Sequence, residues 1–81
     1  MTKIDKPYFP TLEAEMGRYG LTGVDLAKVV CRDPSTVSGW RSGRNPMRLD
    51  DAMLIAKEIN SRRIADGKNQ LAMQHIFSHE E

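Results

Sequence analysis

Apolar residues recur along this chain at helical spacing, and no stretch alternates with the period of two that a half-buried strand needs. Two prolines within residues 4–10 predict an extended lead-in, and Pro10 suits the first position of a helix over 11–19. Leu12, Met16 and Tyr19 fall at i, i+4 and i+7 on its apolar stripe. Gly20 is its predicted stop, because glycine takes the left-handed conformation at little cost. A second helix is predicted to start at Thr22, whose hydroxyl can cap the free amides of the first turn. Asp25, three residues on, makes a near capping box. Leu26, Ala27, Val29 and Val30 supply its buried face. Asp33-Pro34 is the next start signal and predicts a short third helix over 34–41. Val37 and Trp40 point inward there, and Ser42-Gly43 closes it.

A turn over 43–46 leads to the cleanest periodicity in the chain. Leu49, Ala52, Met53, Ala56 and Ile59 mark the predicted buried stripe of a long fourth helix over 48–66. Asp50 and Asp51 complement the dipole of its first turn, and Gly67 is its stop. A last helix over 69–77 presents Leu71, Ile76 and Phe77. The pattern predicts five helices, an all-α chain without internal repeats. Residues 11–78 form the folded unit, between the lead-in 1–10 and a tail 79–81.

Composition narrows the class. A chain of 81 residues fits one domain, and with 40% hydrophobic and 28% charged residues it is globular, not disordered. The longest apolar run, 52–56, is five residues against the ~20 of a membrane helix. The first ten residues, with Lys3, Asp5, Lys6 and two prolines, do not read as a signal peptide. The lone cysteine, Cys31, makes no internal disulfide and no cysteine-based zinc site, which points to a reducing, cytoplasmic setting. Cys31 itself reads as a small buried hydrophobe. Met16 and Met53 read as core, Met47 as exposed, and Tyr8 and Phe9 as lying over the core. His75 and His79 share a helical spacing but lack further ligands, so no metal and no cofactor are expected. No nucleophile–base pair, paired carboxylates or phosphate loop can be assembled, and an enzyme is not expected.

The formal charge of +1 averages over an uneven distribution. Residues 28–48 carry Lys28, Arg32, Arg41, Arg44 and Arg48 against Asp33 alone, a local +4 between segments of −1 and −2. Concentrated arginine is how proteins meet phosphate backbones. The second and third helices sit in this segment, and their short connection allows the steep packing of a helix-turn-helix. With Val37 and Trp40 inward, Ser35, Ser38, Gly39 and Ser42 are predicted to project outward. This small polar face can enter a major groove, and its hydroxyls can reach base edges. Arg32, Arg41 and Arg44 bracket it as phosphate clamps.

Thr22-Gly23-Val24-Asp25-Leu26-Ala27, Ser35-Thr36-Val37-Ser38-Gly39-Trp40-Arg41-Ser42-Gly43 and Asn45-Pro46 together resemble the Cro/repressor-type (XRE-family) helix-turn-helix domain of phage repressors and bacterial regulators. The resemblance runs from about Leu12 to about Phe77. It implies a lambda repressor-like five-helix fold that binds double-stranded operator DNA as a transcriptional regulator, with the third helix, 34–42, as recognition helix. By that resemblance Pro34, Ser35, Ser38, Gly39 and Ser42 face the groove, and Thr22, Gly23, Arg44 and Asn45 touch phosphates. A homodimer on half-sites about 34 Å apart is implied, and Leu71, Ile76 and Phe77 are the apolar groups predicted to build its interface. Two further readings stay open: an antitoxin of the same fold that also binds a toxin, and a protein-interaction module that kept the fold.

Three positions depart from the family pattern. Cys31 stands where the turn usually holds glycine, Arg32 where it is usually apolar, and Gly23 where a long polar side chain often meets phosphate. The groove-facing set also lacks Gln, Asn and Arg for bidentate base reading, which shifts specificity toward backbone contacts and DNA shape.

Overall fold

The computed structural model describes residues 8–78; the first seven residues of the lead-in and the tail 79–81, with His79, lie outside the described residues. Five helices follow one another: α1 (Pro10–Tyr19), α2 (Gly23–Val30), α3 (Pro34–Ser42), α4 (Leu49–Ala65) and α5 (Met73–Ile76). The described residues contain no strand.

The ends of the helices are set by local chemistry. Pro10 and Pro34 open α1 and α3, each with a φ already helical and no amide to satisfy. Asp33 stands at the cap position of α3 but its side chain makes no capping bond. At α2 the capping box is complete. The Asp25 amide donates to Thr22 Oγ1 at 3.2 Å, and the Thr22 amide donates to Asp25 Oδ2 at 2.8 Å. The Thr22 amide and, at 3.1 Å, the Thr22 hydroxyl both donate to the Asp25 carboxylate and hold it below the ordinary aspartate value. Gly20 (φ 66°) closes α1 and Gly43 (φ 78°) closes α3, both left-handed. The Tyr8 ring lies on Gly43 so closely that a Cβ would overlap it. Cys31, which ends α2, takes the same left-handed conformation at φ 58° without being glycine. Its thiol is exposed, a correction to its reading as a buried hydrophobe.

α2 packs on α3 and α4, and α1 packs on α4 and α5. Leu12 and Met16, Leu26 and Val30, Val37 and Trp40, Ile55 and Ile59, and Ile76 meet in one core. Phe9 joins them and meets Phe77 edge to face at 5.4 Å. Met47, expected outside, is half-buried against the same core.

Two expectations about apolar residues are corrected. α4 buries Asp51, Ile55, Ala56 and Ile59, a stripe rotated from the predicted one, while Leu49 (63% exposed) and Met53 (55%) face outward. The second concerns the predicted dimer surface. Ile76 is fully buried, and Leu71 and Phe77 are half-buried against the core. α5 is only four residues long, and the extended stretch before it returns the chain to the core. Asn60 fixes that return by donating from Nδ2 to the Leu71 carbonyl (2.9 Å) and accepting the Leu71 amide at Oδ1 (2.7 Å). Beside it, Arg63 donates to the buried Glu15 carboxylate at 3.0 Å and to the Asn69 carbonyl at 2.7 Å. A buried carboxylate needs such a partner. With Ile76 buried and Leu71 packed against the core, most of the exposed large apolar side chains among the described residues are on α4. There Leu49, Met53 and Ile64, with Met73 of α5, line an open groove of about 660 Å³.

Candidate nucleic-acid interface

α3 divides into two faces because Val37 and Trp40 carry its burial. Ser35, Ser38 and Ser42 lie on the exposed side. The hydroxyls of Ser35 and Ser38 make no hydrogen bond among the described residues. Ser42 differs, since its Oγ donates to the Gly39 carbonyl at 3.1 Å and accepts from the Arg44 amide at 3.4 Å.

Gly39 is not on the exposed face. The chain leaving α3 folds back over it, with the Arg44 and Asn45 amides donating to the Gly39 carbonyl at 2.9 and 3.1 Å. The Asn45 side chain then covers the glycine, which is buried, and a Cβ there would overlap the Asn45 amide. Gly39 is thus a site of close approach within the protein, and its predicted groove-facing role is corrected.

The arginines divide as well. Arg32 Nε donates to Asp51 Oδ2 at 3.0 Å, bridging the α2–α3 turn to the first turn of α4. Arg41 Nε and Nη2 donate to the two oxygens of Glu13 at 2.8 and 2.7 Å. The Glu13 carboxylate, by accepting these bonds, raises the Arg41 pKa further above its ordinary value. Arg44 and Arg48 are exposed and make no ion pair among the described residues. Two of the five cations in 28–48 are therefore compensated by carboxylates from outside the segment, and its local charge of +4 falls to +2.

Thr22 spends its hydroxyl and amide on the α2 cap. Gly23, at the first position of α2, lies under the Arg41 guanidinium. Asn45 is exposed, with its side chain over Gly39. Glu13, Ser38, Arg41 and Ser42 line a shallow depression of about 300 Å³ beside the serine face. Two contributors escaped the sequence reading. Arg48 was legible only as part of the basic segment. Glu13 carried no local signal, because its partner is 28 residues away.

The described residues hold no cluster of metal-ligating side chains, and no helix among them is long and apolar enough to cross a membrane. No family model, curated protein or solved structure matches the chain.

Proposed function

We propose that the protein is a helix-turn-helix, sequence-specific double-stranded DNA-binding regulator of the Cro/repressor type, with α3 as the recognition helix. The observation that carries this reading is the exposed Ser35–Ser38 face of α3 flanked by the unpaired cations Arg44 and Arg48. Hydroxyls without internal partners can exchange water for base edges without breaking a bond inside the fold, and unpaired guanidiniums displace counterions condensed on the phosphates they meet. Asn45 and the remaining donors of Arg41 add backbone contacts. The protein works in the cytoplasm, without a cofactor and without catalysis.

Selection of bound duplexes from a random pool, followed by a salt series on the selected sequence, tests this. Enrichment of a defined site and a steep loss of affinity with salt are expected. Absence of duplex binding at low salt overturns the reading.

The groove on α4 favours a second component of function. A homodimer on a two-fold operator would bury Leu49, Met53 and Ile64 in place of the predicted Leu71, Ile76 and Phe77. Sedimentation at micromolar concentration, with and without duplex, distinguishes this dimer from a monomer that keeps the groove for a different protein, as an antitoxin or interaction module would.

A further inference from the structure

Gly23 and Arg41 share one space. A Cβ on Gly23 would stand 3.1 Å from Arg41 Nη1, so the bare Cα leaves the room in which the guanidinium lies. From the other side both oxygens of Glu13 accept from Arg41, one from Nε and one from Nη2. A bidentate carboxylate fixes a guanidinium in plane and direction as well as in place. It uses two of the five N–H donors and leaves both hydrogens of Nη1 free of Glu13. The pair forms part of the wall of the depression that Ser38 and Ser42 also line.

We propose that Glu13 is a positioning residue for DNA binding: it holds Arg41 over Gly23 so that the free Nη1 edge receives one backbone phosphate. The proposal rests on the DNA-binding reading above. Its sign opposes simple charge counting. A carboxylate beside a phosphate surface repels the ligand, so deleting it should tighten binding. Deleting a group that orders an arginine does the reverse, because the released side chain must be ordered again on binding. Gly23 belongs to the same device: a Cβ there, 3.1 Å from Nη1, presses on the guanidinium and shifts it by a few tenths of an ångström.

The test is an anisotropy titration of a selected duplex over a salt series with the full chain. Wild type is compared with Glu13→Ala, Glu13→Gln, Gly23→Ala, Arg41→Ala and the Glu13→Ala/Arg41→Ala double variant, each checked for folding by thermal melting. Glu13→Ala is expected to weaken binding by about tenfold, the scale of one charged hydrogen-bonded contact, and to lower the salt slope by about one. Glu13→Gln, which keeps one acceptor, falls between. Gly23→Ala melts no lower than wild type yet binds more weakly. The double variant is no weaker than Arg41→Ala alone. Binding by Glu13→Ala or Glu13→Gln equal to or tighter than wild type overturns the proposal alone, as does unchanged binding by Gly23→Ala. Wild-type protein that binds no duplex at low salt overturns the DNA-binding reading and this proposal with it.

Discussion

The Nε of Arg32 donates to Oδ2 of Asp51 at 3.0 Å, and the carboxylate that accepts it is only 2% exposed. A buried carboxylate stripped of its partner keeps its desolvation cost, about 1–3 kcal/mol. Arg32→Ala is therefore expected to lower the free energy of unfolding by that amount in urea titration. Its DNA salt slope should stay at the wild-type value, because this guanidinium serves the fold. A reduced slope with unchanged stability would return Arg32 to the phosphate contacts.

Arg44 and Arg48 behave in the opposite way. Each is exposed and unpaired among the described residues. Replacing either with alanine is expected to change stability by less than about 0.5 kcal/mol. Each substitution should reduce the slope of log K against log salt by about one. Parallel urea and salt titrations of both variants check this.

Cys31 occupies a left-handed backbone position at φ 58°. That conformation costs an L-residue about 1–2 kcal/mol, whereas glycine loses about 0.5–1 kcal/mol in chain entropy on folding. Cys31→Gly is expected to stabilise the protein by about 0.5 kcal/mol. Cys31→Val, β-branched, should destabilise it by more than about 1 kcal/mol. Melting temperatures of the two variants should move in opposite directions.

The capping box gives the fold an acid limb. Thr22 binds the charged carboxylate of Asp25 and holds its pKa below the ordinary value. A depressed folded value means the contribution is complete above about pH 4 and is lost as pH falls through the folded value. Asp25→Asn should be less stable than wild type at neutral pH, with a flatter dependence of stability on pH below about 4. Urea midpoints between neutrality and strong acid measure both.

The helix starts and stops were readable because each rests on neighbours in sequence: Pro10, the Thr22–Asp25 box, Pro34 and Gly43. The burial of α4 was not. Residues 52–56 are all apolar, so stripes through Met53 and through Ile55 are equally regular. The choice between them depends on α1, α2 and α5, which periodicity within α4 does not see. Gly39 was misplaced for a related reason, since its cover comes from a turn that folds back over it. Ile76 looked spare because nothing local shows Asn60 tying Leu71 down. The serine face and the basic segment were legible. The division of its arginines was not, because Glu13 and Asp51 lie far along the chain. Gly23 was legible as a missing side chain, but the guanidinium that fills its place arrives from α3.

The edge-to-face contact of Phe9 with Phe77 joins opposite ends of the described chain. Together with Ile76 it closes the core across nearly the whole described chain. Without them, α1 to α4 cannot shield the apolar surface that α5 covers. The core therefore depends on a contact of long sequence separation, whose loop-closure entropy is spent before the contact rewards it. A polypeptide cut before Ile76 is expected to be a substrate for quality-control proteases.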